Sequence, residues 1–556
     1  MFKKITIICS YVLLAVSALF LLLYALNDRP LWGDEAETAL LSANIVKFGV
    51  PKVFDGKNLI ALFNPTIEAN QNGVWIWRPW LGEYLAALSF AFLGESTFAA
   101  RFPFALFGLM TLTLLAYTAF YIYKSHKAAV LSVFFLLASE LFALHVRQCR
   151  YYSVVMFTEV WIILSLFKVL KGNKKSAPIQ LAIALALQFY SNYIVVLGNV
   201  IALVVLTCLF YKKIPTLLRN FAVTALTFTA FVLPWIFYAK LWQQGAFLVD
   251  HEDIPFKILY YIAEIHFHLF PVPLLLIIPI YLLTRQVKKT DPPLSTLYAF
   301  ICILIPVTML TVARAPGIYL RYNAALFPVF ALIAAVITGE LIKNNLISVT
   351  LAILLGFTNL LSVYTIYPIK SMFEGFQHTG VHFKIHTPEM PVLKMLRSIT
   401  THYENKLTAV ATFINRESKG KDGSIYVADP EFPLIFYTNV EIIDARFFPP
   451  NISNFKTKYL PDWILPVSAS GIIKTSIGNI PDAFNSFYEK LSIEVYDSKA
   501  GGSAPEPDSY EYFTAEHKSS FIIYKKRNLS VDYSLSISLP FLKQAPCYTA
   551  IDNSLG

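Results

Sequence analysis

Long apolar stretches alternate with short polar connections along the first two thirds of the chain. Eleven of these stretches are long enough to cross about 30 Å of hydrocarbon as helices. A polar segment at residues 190–193 divides one longer run into two of them. The pattern predicts a polytopic α-helical membrane protein. The predicted spans cover residues 5–26, 101–123, 128–146, 152–170, 177–193, 194–211, 220–240, 259–284, 294–313, 322–342 and 346–367.

Basic residues concentrate in alternate connections between these spans. The positive-inside rule assigns such connections to the cytoplasm. The N-terminus is then cytoplasmic, and an odd number of spans places the C-terminal part outside. The first span could also be a cleaved signal peptide, but its apolar core is long for one. The basic residues are Lys3, Lys4, Lys124, Lys127, Lys168, Lys171, Lys174, Lys175, Lys212, Lys213, Arg219, Arg285, Lys288, Lys289 and Lys343.

Composition narrows the class of protein further. The chain is 56% hydrophobic and only 15% charged, with a mean hydropathy of +0.55, which excludes a large soluble enzyme and a disordered chain. The net charge of +10 arises before residue 369, because the remainder has 19 basic and 20 acidic residues. The excess therefore indicates topology, and no nucleic-acid partner is expected. Five scattered cysteines favour neither a disulfide framework nor a Cys-rich metal site.

Two segments lie outside the predicted spans. The first, residues 27–100, contains an amphipathic stretch, Asp34–Phe48, and an apolar stretch, Trp80–Leu93, which is too short to span and is expected at the interface. The second, residues 369–556, has the composition of a soluble mixed α/β domain. We therefore predict a transmembrane module at 1–368 and an extracytoplasmic domain at 369–556. Expected strands are Ser424–Ala428, Leu434–Tyr437, Glu441–Asp444 and Phe521–Tyr524, and expected helices are Pro388–Tyr403 and Pro481–Lys490.

The first external segment opens with an acidic pair, Asp34 and Glu35, directly after the first span. Paired carboxylates at a membrane surface have three roles open to them. They can act as a general base, bind a cation, or stabilise the start of the next helix as an N-cap or first-turn acid.

Three arginines near the predicted interface have two roles open to them. Arg78 lies among aromatic residues in Trp75-Ile76-Trp77-Arg78-Pro79-Trp80, and Arg147 and Arg150 precede the fourth span. Each could anchor the chain at the interface, since arginine extends its charged group toward water. Each could also bind a phosphate group, which a guanidinium matches in shape and charge.

These motifs, in this order, resemble the first external loop of GT-C-fold glycosyltransferases that use lipid-phosphate-linked sugars. The superfamily includes the protein O-mannosyltransferases and the transferase that adds aminoarabinose to lipid A. The resemblance rests on three segments: Gly33-Asp34-Glu35-Ala36-Glu37, Arg78-Pro79, and the turn from Gly94 to Pro103 that enters the second span. The resemblance covers about residues 25–155 and continues to about 340. It implies a GT-C membrane module in which a sugar passes from a polyprenyl phosphate to an acceptor hydroxyl.

The resemblance also implies roles for individual residues. Asp34 matches the catalytic acid and Glu35 its partner. Arg78 matches a basic residue that binds the donor phosphate. The segment Arg321-Tyr322 matches a basic-Tyr signature that opens a late span, and Arg147 and Arg150 are further candidates for the phosphate site. Lipid, glycan and protein acceptors all stay open, as does a divalent cation as cofactor, and the bacterial inner membrane is the expected location.

One departure from the family concerns a second acid. Several members carry an acid just after the Arg-Tyr segment that enters the fourth span, where this chain has Arg150-Tyr151-Tyr152-Ser153. Glu140 and Glu159 flank the segment at some distance and are poor substitutes. A mechanism with two carboxylates is therefore in doubt.

The remaining candidates are single polar residues near the predicted outer surface. Tyr151, Tyr193 and Glu264 are candidates for substrate contacts. His266 and His268 are candidates for a metal, although residues two apart on a helix diverge by about 200°. Asp250, Glu252 and Asp253 form an acidic loop. Two other classes stay open, a secondary transporter and a non-catalytic membrane assembly or binding protein, but the chain shows no paired halves.

Overall fold

The computed structural model describes residues 2–61, 65–172, 175–212, 215–248, 254–276, 292–315, 317–365, 388–401, 406–418, 423–427, 431–444, 461–465, 488–496 and 518–527. By its contacts the chain forms two compact units. The helical unit comprises Met1–Tyr24, Phe104–Arg147 and Tyr151–Thr400. The loop–sheet unit comprises Ala25–Pro103, Gln148–Arg150 and Thr401–Gly556. The first external segment thus packs with the C-terminal part of the chain, whereas the boundary at residue 368 stays a prediction about the membrane.

The described helices fall into an apolar series followed by shorter helices of the C-terminal part. The first part of the series is α1 (Phe2–Leu23), α2 (Gly33–Phe48), α3 (Pro65–Glu68), α4 (Leu81–Leu93), α5 (Thr97–Tyr123), α6 (His126–Ala138), α7 (Glu140–Val146), α8 (Tyr152–Lys171), α9 (Ala177–Phe189) and α10 (Tyr193–Phe210). The others are α11 (Pro215–Tyr238), α12 (Leu241–Leu248), α13 (Ile254–His268), α14 (Pro292–Val312), α15 (Leu326–Val336), α16 (Asn345–Phe357), α17 (Leu360–Tyr364), α18 (Pro391–Thr400), α19 (Lys406–Ser418) and α20 (Phe432–Tyr437). A 3-10 turn spans Leu320–Asn323, and a π-helical turn, Ile337–Leu341, extends α15.

Six helices in the described part of the chain are long and apolar enough to cross a membrane, and each coincides with a predicted span. The protein is therefore an integral membrane protein. The prediction of eleven spans stays open, because the described parts of the other five stretches form shorter or interrupted helices. Residues 128–146 form α6 and α7, which are bent by 73° at Ser139. Residues 259–284 lie partly outside the described residues. The six helices are Lys4–Leu23, Thr97–Tyr123, Tyr152–Lys171, Tyr193–Phe210, Thr216–Tyr238 and Pro292–Val312.

The helical unit is held together by close helix pairs: α8 with α9, α10 with α14, and α6 with α15. Gly198 shows why α10 and α14 approach closely. A Cβ atom at this position would lie 2.9 Å from Thr308 Oγ1 and 3.1 Å from its Cα. Small residues allow this kind of backbone approach in membrane helices. A buried polar group also links three helices, since Glu159 Oε2 accepts hydrogen bonds from Gln188 (2.9 Å) and Asn199 (2.6 Å).

The loop–sheet unit contains a five-stranded sheet in the order β2-β1-β3-β5-β4. Its strands are β1 (Ser424–Val427), β2 (Glu441–Asp444), β3 (Trp463–Leu465), β4 (Tyr488–Tyr496) and β5 (Lys518–Lys526). β1 pairs in parallel with β2 and β3, while β5 pairs antiparallel with β3 and β4. The apolar face of α19 covers the sheet, where Val410 and Ile414 pack with Ile425 and Phe521.

Three predicted strands of this unit are confirmed. The predicted helix Pro388–Tyr403 is confirmed as α18, which belongs to the helical unit. One predicted strand is wrong, and the described end of one predicted helix is a strand. Residues 434–437 were expected to be a strand but form the end of α20, because Pro433 occupies its first turn, where a fixed φ favours a helix. For the expected helix Pro481–Lys490, the described residues Tyr488–Lys490 begin β4 instead, in register with β5. The rest of that segment lies outside the described residues.

Helix α20 also fixes the first external segment within this unit. The Tyr437 hydroxyl accepts the backbone N–H of Leu31 at 2.8 Å and hydrogen-bonds with the Thr97 hydroxyl at 2.6 Å. Asn58 donates to the carbonyl of Val440 and accepts the N–H of Ile442. α2 packs against both α20 and α4. The segment that carries the acidic pair is thus supported by regular structure on both sides.

Candidate active site

The acidic pair lies in the first turn of α2. The helix begins at Gly33, with Trp32 as N-cap residue, and ends before Gly49, whose φ of +78° is the left-handed conformation that glycine favours at this position. Asp34 is therefore a first-turn acid and not the N-cap. Negative charge in the first turn is stabilised by the helix dipole. Because residues three apart share a helix face, Asp34 lies beside Glu37, whereas Glu35 is directed elsewhere.

The carboxylate of Glu35 is fully buried and is engaged by fixed donors. Its Oε1 accepts from Arg101 Nε at 2.8 Å and its Oε2 from Arg101 Nη2 at 2.6 Å. The backbone N–H of Cys149 donates to Oε1 at 2.7 Å. Arg101 also donates to the carbonyls of Leu26, Arg29 and Pro30. Glu35 and Arg101 thus hold residues 26–30, the start of α2 and residues 148–150 together.

Asp34 is the accessible member of the pair. Its side chain is 26% exposed, and Oδ2 lies 3.2 Å from Nη2 of Arg150. Arg150 is itself buried and also donates through Nη1 to the Asp34 carbonyl and to the Thr38 hydroxyl, each at 3.1 Å. The guanidinium therefore fixes both the backbone and the carboxylate of Asp34, whose side chain stays partly exposed.

Glu37 extends the cluster to a second arginine. Its Oε2 accepts from Arg78 Nη2 at 2.5 Å and lies 3.7 Å from Arg150 Nη1. Glu83, in the first turn of α4, lies 3.8 Å from the same Arg78 nitrogen. Burial is the main cause that raises the pKa of Glu37 and of Glu83, while Arg78 and Arg150 oppose that rise. Arg78 is thus a member of a charged cluster; its guanidinium also lies 5.5 Å from the Trp75 ring centroid.

Four of the residues predicted from sequence therefore meet in the loop–sheet unit: Asp34, Glu35, Arg78 and Arg150. Three members of the cluster were not predicted: Glu37, Glu83 and Arg101. The position of Glu37 could have been inferred from the sequence, because a residue three positions after Asp34 shares its helix face. Arg101 lies within the Gly94–Pro103 segment that carried the resemblance, but nothing in that segment indicated its pairing with Glu35. Glu83 had no signal in the sequence.

The other predicted arginine and tyrosine residues lie in the helical unit. Arg147 donates to the Leu21 carbonyl at 2.8 Å. Arg321 is buried and stacks 3.9 Å above the Tyr319 ring. Tyr193 accepts a hydrogen bond from the indole N–H of Trp235. Two further tyrosines pack on apolar clusters, Tyr151 and Tyr322. Their predicted roles in substrate and phosphate binding stay untested.

The two histidines considered for a metal face different partners in the helical unit. His266 Nδ1 accepts the backbone N–H of Val272, and its Nε2 lies 2.7 Å from the Ser362 carbonyl. His268 lies 3.2 Å from Glu140 and 3.6 Å from Glu264. Across the described residues, no group of three or more His, Cys, Asp or Glu side chains is arranged to hold a metal ion. The predicted acidic loop of Asp250, Glu252 and Asp253 lies outside those residues.

Comparisons with known proteins identify the fold. No family model and no curated protein matches the chain. Among solved structures, ArnT from Cupriavidus metallidurans bound to undecaprenyl phosphate aligns over 86% of this chain and 94% of that one, with a TM-score of 0.54 and 13% identity. The apo state of the same protein aligns with the same values. The chain therefore has the fold of ArnT, the GT-C fold that the first external segment predicted.

Proposed function

We propose that this protein is a membrane glycosyltransferase that moves a sugar from a polyprenyl-phosphate donor to a hydroxyl group of an acceptor. The observation that carries the proposal is the accessible carboxylate of Asp34 in one cluster with the guanidinium groups of Arg150 and Arg78. Such a transfer needs a base for the acceptor and cations for the leaving phosphate. The cluster supplies both kinds of group.

The fold supports the same proposal. ArnT, which has this fold, has been seen bound to undecaprenyl phosphate. A donor whose sugar is carried on a lipid needs no nucleotide pocket, and the sequence contains no glycine-rich nucleotide fingerprint. The distribution of basic connections favours a site on the extracytoplasmic side.

In the proposed reaction, Asp34 accepts the proton of the acceptor hydroxyl while that oxygen attacks the anomeric carbon of the sugar. The bond between the anomeric carbon and the phosphate oxygen breaks, and its electron pair leaves with the polyprenyl phosphate. A single displacement of this kind inverts the anomeric centre. Arg78 and Arg150 stabilise the charge that develops on the departing phosphate. The carboxylate of Glu35 is bound by Arg101 and so fixes the first turn of α2, which positions the neighbouring Asp34.

The experiment that tests the proposal is a donor-consumption assay. The purified protein in lipid nanodiscs is incubated with a panel of polyprenyl-phosphate sugars and with candidate lipid, glycan and protein acceptors. We expect polyprenyl phosphate to be released from at least one donor by the wild-type protein and not by Asp34→Asn. Equal release by both proteins, or binding without release for every donor and acceptor, would contradict the proposal.

A further inference from the structure

Glu37 occupies the middle of a row of alternating charges in the loop–sheet unit. The row runs from Asp34 to Arg150, Glu37, Arg78 and Glu83, with neighbouring charged atoms between 2.5 and 3.8 Å apart. Glu37 is the member that contacts both arginines. When all five groups are ionised, three carboxylates face two guanidiniums, so the row has a net charge of −1.

This arrangement conflicts with phosphate binding as long as every acid is ionised. A donor phosphate diester adds another negative charge to a row that is already negative. The Glu37 Oε2 atom also has the surroundings that a phosphate oxygen requires, 2.5 Å from Arg78 Nη2 and 3.7 Å from Arg150 Nη1. Glu37 and a donor phosphate therefore compete for the same two cations.

We propose that Glu37 is a proton-linked placeholder for the donor phosphate. Before the donor binds, its carboxylate holds Arg78 and Arg150 in place. When the phosphate engages the two guanidiniums, Glu37 takes up one proton from solvent and becomes a neutral carboxylic acid, and it loses that proton when the phosphate departs. The inference rests on the proposed function and makes Glu37 a positioning residue that couples donor binding to pH.

The surroundings of Glu37 favour this uptake. Burial raises the pKa of Glu37, and the charges of Asp34 and Glu83 raise it further, while Arg78 and Arg150 lower it. A phosphate bound to the two arginines offsets their charges. The effects that raise the pKa of Glu37 then prevail, so protonation accompanies binding.

Glu37 is a better candidate for this role than its acidic neighbours. Glu83 contacts Arg78 at 3.8 Å and is not among the acids paired with Arg150 in the described residues. Asp34 contacts Arg150 through the other terminal nitrogen, Nη2, and is the most exposed carboxylate of the row. Replacing Glu37 by glutamine keeps its size and its hydrogen-bonding oxygen but removes the titration.

The test measures lipid affinity against pH with a ligand that does not itself titrate. Undecaprenyl methyl phosphate is suitable because it is a diester with a constant single negative charge. Its affinity for the wild-type protein, for Glu37→Gln and for the control Glu489→Gln is measured in nanodiscs from about pH 5.5 to about pH 8.5. Proton uptake is measured in parallel by calorimetry in buffers with different ionisation enthalpies.

For the wild-type protein we expect affinity to fall as pH rises, approaching about tenfold per pH unit once Glu37 is ionised in the unbound protein. About one proton should be taken up per lipid bound. Glu37→Gln should bind with little pH dependence, without proton uptake, and more tightly than the wild type at the high-pH end. Glu489→Gln, which removes an exposed carboxylate of β4 outside the row, should keep the wild-type slope.

Two outcomes would overturn the inference in distinguishable ways. If the wild type and Glu37→Gln show the same pH slope, or if the wild type binds without proton uptake, the placeholder role is wrong while the proposed transferase stands. If the wild-type protein binds no polyprenyl phosphodiester at any pH, the proposed function fails and the placeholder role fails with it.

Discussion

Asp34 and Glu35 are adjacent in the chain, yet their carboxylates pair with different arginines. Asp34 pairs with Arg150 at 3.2 Å and stays partly exposed, whereas Glu35 is fully buried and forms two hydrogen bonds with Arg101. Consecutive residues on a helix diverge by about 100°, so one acid can face the site while the other faces the interior. Asp34 therefore presents a partly exposed carboxylate, whereas the buried carboxylate of Glu35 stabilises the structure around it.

The stabilising role of Glu35 predicts that Glu35→Gln damages stability. The substitution leaves the buried guanidinium of Arg101 without its counter-charge, and breaking a buried ion pair typically costs about 3–5 kcal/mol. We expect a clear fall in the thermal midpoint in detergent and a low folded yield. A variant with unchanged stability and yield but greatly reduced turnover would show instead that Glu35 acts in the reaction.

The phosphate-binding role of Arg78 predicts a specific loss of donor affinity. A charge-assisted contact contributes about 1.5–3 kcal/mol, so Arg78→Ala should weaken lipid-phosphate binding by about 10- to 150-fold. Arg321→Ala tests in the same way whether Arg321, in the helical unit, binds the donor phosphate as the sequence predicts. Arg416, whose side chain is 73% exposed on α19, provides the matched control, and Arg416→Ala should bind normally. Unchanged affinity in Arg78→Ala would leave that residue as a structural partner of Glu37.

The predicted topology places the C-terminal part of the chain outside the cytoplasm. A reporter that is active only in the cytoplasm, fused after Gly556, should therefore give no signal. The same reporter fused within the basic connection near Lys343 should be active. A strong cytoplasmic signal at Gly556 would reverse the orientation and move the proposed site to the other side of the membrane.

The hydrogen bonds of the Tyr437 hydroxyl should stabilise the packing of α20 against the first external segment. Tyr437→Phe removes a hydroxyl that bonds with Leu31 and Thr97, which should cost about 1–3 kcal/mol because the remaining polar groups are largely buried. Thermal unfolding, monitored by size-exclusion chromatography, should show a lower midpoint for Tyr437→Phe than for the wild-type protein. Tyr524→Phe is the control, since among the described residues its hydroxyl forms no hydrogen bond. Equal midpoints for both variants would contradict this stabilisation.

Local patterns predicted the elements of this fold better than its contacts. The predicted amphipathic stretch Asp34–Phe48 corresponds to α2, and six of the predicted apolar stretches correspond to helices long enough to cross a membrane. The strand expected at 434–437 was wrong because a short apolar run fits either a strand or a helix, and only Pro433 indicates the helix.

The charged cluster shows why the site was only partly predictable. Arg78 and Arg150 lie 41 and 113 positions from Glu37 in the chain, and no local pattern connects them. The resemblance to GT-C transferases indicated Asp34, Arg78 and Arg150 individually. It did not indicate that Glu37 joins the two arginines or that Arg101 engages Glu35, because these pairings depend on how α2, α4 and residues 148–150 pack together.

The most direct test of the central claim is the turnover of Asp34→Asn in a verified donor assay. Asparagine keeps the shape of the side chain, and Arg150 keeps Glu37 as a counter-charge when the partly exposed charge of Asp34 is removed. The helix-dipole stabilisation that is lost is about 0.3–1 kcal/mol, but asparagine cannot accept a proton from a hydroxyl at neutral pH. We predict a loss of about 10²- to 10⁴-fold in rate, with normal expression, thermal stability and donor binding. Near-normal turnover by the folded Asp34→Asn protein would show that Asp34 is not the base.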